Sequence, residues 1–255
     1  LHDIVVSGGS DWLDRGLTLV RELASHQPLP ITAATGYRML LDALSRRNRT
    51  DFAEELWDEI VRVGISPSKD MYIVFLKAIA HGGRPGWALR AKSIIAEMGE
   101  RRMTRTQAYN IMLNFVANQD IREAMALRQR MERDKVPVDE VTFNTLVRGF
   151  CQSKIPGWAA TARDILADMK ARNMNCTVAY NTLLNGLAKA KRSDEVDAIW
   201  EEMKELGVAA NQVTYNTYIQ SIVATGHGDW LERVRRLLTE MKELGFPRAW
   251  AFTSI

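Results

Sequence analysis

The chain has 255 residues, 46 % of them hydrophobic and 25 % charged, the balance of a folded globular protein and not of a disordered one. Its apolar runs are a few residues long, far short of the roughly 18 to 20 that a membrane span needs, so no membrane partner is expected. Thirty-four basic against 31 acidic residues leave a net charge of +3, which neither demands nor excludes a polyanionic partner, and two cysteines, Cys151 and Cys176, are too few for a disulfide framework or a Cys-based metal site.

In chain order, the first element is "SDWLDRGLTLVREL", an amphipathic helix with no partner before it. The segments "ATGYRMLLDAL", "DMYIVFLKAI", "QAYNIMLNFV", "VTFNTLVRGF", "VAYNTLLNGL" and "VTYNTYIQSI" follow, anchored on Tyr37, Tyr72, Tyr109, Phe143, Tyr180 and Tyr215, with Phe252 starting a truncated seventh copy. Consecutive anchors lie 35, 37, 34, 37, 35 and 37 residues apart, which is a tandem array. Apolar residues recur at helical spacing after each anchor, and a small residue stands six places on in five of six copies (Ala43, Ala78, Gly149, Gly186, Ser221), with Phe115 as the exception. Small residues there allow close approach of two helices.

A second helix follows in every copy and ends on Ile60, Met98, Met131, Met169, Met203 or Met241. Four residues earlier stand Leu56, Ile94, Leu127, Ile165, Ile199 and Leu237, and seven earlier Ala53, Ala91, Ala124, Ala162, Val196 and Val234, one stripe on one face. Gly- or Pro-bearing words such as "ELGVAAN", "VGISPS" and "DKVPVD" separate the copies. No stretch shows sustained period-two alternation, so no sheet is expected. Such a hairpin cannot bury its apolar face alone, but stacked neighbours bury a continuous core, which predicts an all-α fold, an α-solenoid.

Trp12, Trp87, Trp158 and Trp230 punctuate the array, each 11 residues before the end of its second helix and therefore at the head of the buried stripe. In those copies the anchor-to-end distance is 26 residues, against 22 or 23 in the others, so short- and long-turned hairpins alternate in a block of about 72 residues. Gly83, Pro85, Gly86, Pro156, Gly157, Gly226 and Gly228 supply the longer turns. The Trp is read as a wedge at that corner; exposed rings would instead mark a protein-docking ridge. Trp57 and Trp200 sit beside the apolar stripe as core, and for Trp250 stacking on a base is the lesser of two readings.

The words "VTYNTYI", "VTFNTLV" and "YNTLLNGLAKAKRSDEVDAIWEEMKELG" closely resemble the pentatricopeptide repeat family, and the resemblance runs over essentially the whole chain. The tetratricopeptide architecture has a similar period, but its Trp, Leu-Gly and Tyr signature is not what these first helices carry. Residues 1–255 are then a single array of about six full repeats with a partial repeat at each end. Because the chain starts at Leu1 and stops in mid-repeat, it is expected to be a piece of a longer protein.

The resemblance implies a superhelix whose first helices line the concave face, each repeat meeting one base of single-stranded RNA. By the same resemblance, the residue after each anchor, with the one four before the next anchor, hydrogen-bonds the base edge, and an aliphatic residue two before the anchor packs on the base face. Asn110 with Asp139 then resembles a uridine-selecting pair and Asn181 with Asn211 a pyrimidine-selecting one. Asn144 with Cys176 and Asn216 with Arg248 keep the Asn with an atypical partner, and Val141, Val178 and Val213 suit base packing. Arg38 with Ser68 and Ile73 with Arg105 fit poorly, and Asp70 puts a carboxylate beside the strand. Of the phosphate-facing positions nine after each anchor, only Arg46 and Lys189 are reliably cationic.

His2, His26, His81 and His227 are isolated, and no Cys or His pair has metal-ligand spacing. No enzyme activity, cofactor, metal or small-molecule substrate is expected. The acidic pairs Glu54–Glu55 and Glu201–Glu202 read as solvated helix faces. Two functions are in view: a reader of pyrimidine-leaning single-stranded RNA in the mitochondrial matrix or chloroplast stroma, serving RNA processing, stability or translation, and an architectural subunit of an organellar ribosome or transcription complex, touching protein and ribosomal or other structured RNA.

Overall fold

The structure, a computed structural model, describes residues 2–3, 11–25, 31–47, 49–153, 155–225 and 229–246. Among these residues the chain forms thirteen α-helices and no strand. A lone α1 (Trp12–Ala24) precedes six hairpins: α2 (Ile31–Arg46) with α3 (Thr50–Arg62), α4 (Lys69–Gly82) with α5 (Trp87–Glu100), α6 (Thr106–Gln119) with α7 (Ile121–Arg133), α8 (Glu140–Gln152) with α9 (Trp158–Ala171), α10 (Thr177–Lys189) with α11 (Ser193–Glu205), and α12 (Gln212–Thr225) with α13 (Trp230–Glu243). All six anchor aromatics are buried, as is the whole stripe from Ala53 to Met241.

Every second helix of a hairpin runs two residues past its last buried apolar residue and then stops in the same way. Four residues after that buried position stand Gly64, Arg102, Lys135, Asn173, Gly207 and Gly245, all with φ between 54° and 84°. The next amide reaches back to the buried residue's carbonyl, as in Ile65 N to Ile60 O at 3.1 Å and Val136 N to Met131 O at 2.8 Å. This is a Schellman closure, and it forms with or without glycine. In the long turns Gly86 and Gly157, at φ 87° and 78°, are the caps from which α5 and α9 start on their Trp. Gly226 and Gly228 lie outside the described residues.

The chain divides into two compact units, residues 1–116 with 129–137 and residues 117–128 with 138–255, where the sequence suggested one array. A stack in which each repeat touches only its neighbours has few distant contacts to bind it as one body. In the first unit α2 lies against α4, with α3 packed on both. In the second, α8, α10 and α12 lie side by side, α9 packs on α8 and α10, and α11 packs on α10 and α12.

The small residues six after the anchor are packing necessities. A Cβ on Gly149 would stand 2.6 Å from Ile121 Cδ1 and 3.0 Å from Ala117 Cβ, and one on Gly186 would meet Cys151 Sγ at 2.7 Å and Trp158 at 3.3 Å. Phe115, the exception, meets Trp87 edge-on at 5.9 Å and His81 at 5.0 Å. The Trp of a long turn thus packs on this position of the following first helix, whether a Gly or a Phe occupies it. Trp12 and Trp87 are buried, and Trp158 and Trp230 are half-buried. Trp57 and Trp200 are core, stacked on Phe75 at 4.4 Å and on Tyr218 at 4.3 Å.

Candidate nucleic-acid interface

From the second repeat on, the residue four before the anchor sits at the N-terminal cap position of the first helix, as Ser68, Asp139 and Cys176 do; in the first repeat that position, Ala33, lies inside α2. In the second unit Asp139 caps α8: its Oδ1 accepts from Thr142 N at 2.9 Å and from the Thr142 hydroxyl at 2.9 Å. Asn211 caps α12 identically, its Oδ1 accepting from Thr214 N at 3.0 Å and the Thr214 hydroxyl at 3.1 Å. Side-chain oxygens at this position satisfy amides that the helix start leaves unpaired. A thiol does so poorly, and Cys176 is buried, 5 % exposed, its S–H directed to Met174 O at 3.3 Å. That corrects the expectation that Cys176 faces a base. The capping falls instead to Asn175, whose Oδ1 accepts from Thr177 N at 3.0 Å.

One turn further along each helix stand the asparagines. Asn144, Asn181 and Asn216 are half-buried, and each has an amide oxygen shielded from solvent with no hydrogen-bond partner among the described residues. A buried unsatisfied acceptor costs about 1–3 kcal/mol, so three in register are a cost that folding does not recover. Asn181 donates its amide to Asn211 Oδ1 at 3.4 Å, which joins the two members of the expected pair. Asn110 is likewise half-buried and lies in the first unit.

Val141, Val178 and Val213 are 56 %, 56 % and 61 % exposed, aliphatic side chains turned to solvent two residues before a buried anchor aromatic. Val178, Asn181, Asn211, Val213 and Lys189 line one open groove of about 480 Å³ between α8, α10 and α12. Arg148, on α8 five residues after its anchor, lines it too. Sequence reading missed Arg148 because it looked only nine residues after the anchor. Lys189 is exposed and has no ion-pair partner among the described residues. Arg46 in the first unit is engaged by Asp42 one turn earlier. Cys151 also lines the groove, where burial pushes its thiol up to about 12, so it is a neutral group and not a nucleophile.

The first unit offers less. Ile73 is buried at 4 % exposure, Asp70 is exposed, Ser68 accepts from Met71 N as the cap of α4, and Arg105 is bound to Asp134. Arg248, Trp250 and Phe252, and with them the Asn216–Arg248 pairing, lie outside the described residues, as do His26 and His227.

Opposite this face, the second helices carry a recurrent bond that the sequence did not announce. The anchor hydroxyl donates to a carboxylate of its own hairpin: Tyr37 to Glu59 at 2.9 Å, Tyr72 to Glu97 at 2.5 Å, Tyr109 to Asp134 at 2.7 Å, Tyr180 to Glu202 at 2.6 Å and Tyr215 to Glu240 at 2.7 Å. Phe143 has no hydroxyl, and there the equivalent Asp168 is held by Arg172 and Arg128, whose guanidinium groups lie over the Phe143 ring at 5.4 and 5.0 Å. Glu202 is therefore not a merely solvated face. Burial opposes its ionisation, but the Tyr180 hydroxyl and the Lys170 ammonium outweigh it and hold the carboxyl below its usual range. Among the described residues, no group of three or more His, Cys, Asp or Glu is placed to hold a metal, and no helix is long and apolar enough to cross a membrane.

Residues 105–152 and 175–224 match the profile described as the PPR repeat family, and residues 36–65 match that of the PPR repeat, together half of the chain. The chain belongs to the pentatricopeptide repeat family. A similar protein is the small ribosomal subunit protein mL103 (rPPR7) of Arabidopsis thaliana, 21 % identical over 91 % of this chain and 55 % of its own length. A mitochondrial pentatricopeptide repeat-containing protein of the same plant is 22 % identical over 91 % of this chain and 54 % of its own, and a chloroplastic one is 24 % identical over 76 % and 20 %. The chain thus spans about half the length, or less, of these relatives. Among solved structures, the pentatricopeptide repeat protein PPR10 from maize aligns with a TM-score of 0.55 at 21 % identity, over 95 % of this chain and 38 % of that one. PPR10 in complex with an 18-nt psaJ RNA element aligns with a TM-score of 0.52 at 20 % identity, over 96 % and 40 %. These likenesses establish the helical-repeat fold.

Proposed function

We propose that this pentatricopeptide repeat chain binds single-stranded, pyrimidine-leaning RNA through the first helices of its second unit, as a non-enzymatic factor of organellar RNA processing, stability or translation. The carrying observation is the groove in which exposed Val178 and Val213 stand with Asn181, Asn211, Arg148 and Lys189. The valines give a base an apolar face to pack on, the amides offer hydrogen bonds to its edge, and the two cations neutralise phosphate. Asn144 with Val141 repeats the arrangement on α8. Similarity to mitochondrial and chloroplastic proteins supports an organellar location, mitochondrial matrix or chloroplast stroma.

Binding to oligo(U), oligo(C) and oligo(A) RNA tests the reading. The wild-type chain prefers the pyrimidine strands, and the triple variant Asn144→Ala, Asn181→Ala, Asn216→Ala loses that preference. Equal binding to all three strands before and after the change would sink it.

A second reading, an architectural subunit of an organellar ribosome or transcription complex that contacts protein and structured RNA, is favoured by two observations. A relative is a small ribosomal subunit protein, and the first unit buries Ile73 and exposes Asp70 where a reader needs an amide and an aliphatic group. Co-sedimentation of the full-length protein with organellar ribosomal subunits, undisturbed by the triple Asn change, is the outcome that reading expects.

A further inference from the structure

We propose that Thr142 and Thr214, both fully buried, are positioning residues that hold one oxygen of the neighbouring cap to the helix and so turn its other branch toward a base; the inference rests on the RNA-reading function above. The end of an Asn side chain carries an oxygen and an NH2 of nearly equal size and opposite hydrogen-bonding sense, and a half-turn about its last bond exchanges them. At Asn211 that exchange is blocked. Its Oδ1 receives the Thr214 amide at 3.0 Å, the Thr214 hydroxyl at 3.1 Å and the Asn181 amide at 3.4 Å.

The Thr214 backbone N–H can only donate, and the hydroxyl, which accepts the Asn211 backbone N–H at 2.9 Å, adds its own proton to the same cap oxygen. A turned amide would set its NH2 against these donors. The oxygen is therefore held toward the helix, and the NH2 of Asn211 is the branch left to present at the groove that Asn211 lines. Asp139 sits in the same box, with its backbone N–H on Thr142 Oγ1 at 3.3 Å and its Oδ1 on both Thr142 donors, so a carboxylate occupies the equivalent place.

Two repeats built alike thus present opposite senses, a donor at Asn211 and an acceptor at Asp139. A pyrimidine with a ring-nitrogen acceptor suits the first, and one with a ring N–H suits the second. The intervening repeat shows what happens without the device: its cap position is Cys176, the residue three on is Ala179, and the thiol turns inward.

The test compares binding of oligo(C), oligo(U) and oligo(A) RNA by the wild-type chain and three variants, with a melting curve for each. The double variant Thr142→Val, Thr214→Val keeps shape and loses both hydroxyls; its pyrimidine-over-adenine ratio falls about five-fold per box, the worth of one hydrogen bond. Thr142→Ser with Thr214→Ser restores the ratio. Should the valine variant prove unstable, Cys176→Asn with Ala179→Thr gives an independent reading: installing the box in the repeat that lacks it raises the ratio by a similar factor. If the valine variant discriminates as the wild type does while the triple Asn→Ala variant does not, the threonines are ordinary caps, and the inference fails with the RNA reading intact. No discrimination by the wild type overturns both.

Discussion

At the scale of single residues, the hairpins are closed by a hydroxyl on a carboxylate in five of six repeats, and this sets the pH response. Arg21 and Tyr37 hold the Glu59 carboxyl below its usual range, and Arg172 and Arg128 do the same for Asp168 against the opposing effect of burial. A carboxyl depressed by folding stabilises above its unfolded value, about 4, and that contribution is lost as pH falls through the lower folded value. The melting temperature is therefore expected to be flat from neutral pH to about 5 and to drop steeply below about 4. Burial and Asp134 raise the Tyr109 hydroxyl to about 12, so its contribution is complete below about pH 10 and is lost progressively as the pH rises from there through about 12. Tyr180→Phe should cost about 1–2 kcal/mol in urea unfolding at pH 7, and the gap should narrow in acid, where Glu202 loses the charge that strengthens the bond.

These bonds were illegible in the sequence because the partner sits 22 to 25 residues from its tyrosine and is Glu in four repeats and Asp in one. The asparagines and valines proposed to read RNA were legible, since their offset from the anchor repeats. Cys176 misled because position alone does not say whether a side chain can cap a helix.

Among the elements, alternation of hairpin length was visible as 22 or 23 against 26 residues, but not what the extra turn does. It starts α5 and α9 on a Trp that reaches the following first helix, and the receiving position adapts: Phe115 offers an edge, and Gly186 offers space. Where the hairpin is short, Trp57 and Trp200, three residues before the last buried residue of the second helix, reach the next first helix by stacking on Phe75 and Tyr218. Periodicity reveals which face is buried; it cannot reveal which of two neighbours a ring leans on. Gly149→Ala is the sharp test of this packing. Its methyl would collide with Ile121 and with Ala117, whose backbone oxygen is 3.2 Å away, so a loss of about 1–3 kcal/mol is expected in chemical denaturation.

Over the molecule as a whole, charge is sorted by layer. Second helices of neighbouring repeats are laced by ion pairs, Arg21 with Glu59, Arg90 with Glu54, Arg163 with Glu195, Lys170 with Glu202 and Arg233 with Asp197. These cations are committed to carboxylates; Arg148 and Lys189 line the groove of the first helices. A net charge of +3 hides that segregation, which is why composition said so little about a polyanion. For single-stranded RNA, Lys189→Ala and Arg148→Ala are each expected to flatten the dependence of log affinity on log salt by about 0.7, and Arg163→Ala to leave it unchanged.

The capping boxes carry one more consequence, for anyone wishing to rewrite the molecule. Asp139–Glu140–Val141–Thr142 and Asn211–Gln212–Val213–Thr214 share their last two residues, an exposed valine and the threonine bonded to the cap. What differs lies at the very tip of the helix, outside the buried stripe. If the proposed reading holds, recognition becomes a replaceable cartridge, exchanged by two adjacent substitutions in a cassette of four residues.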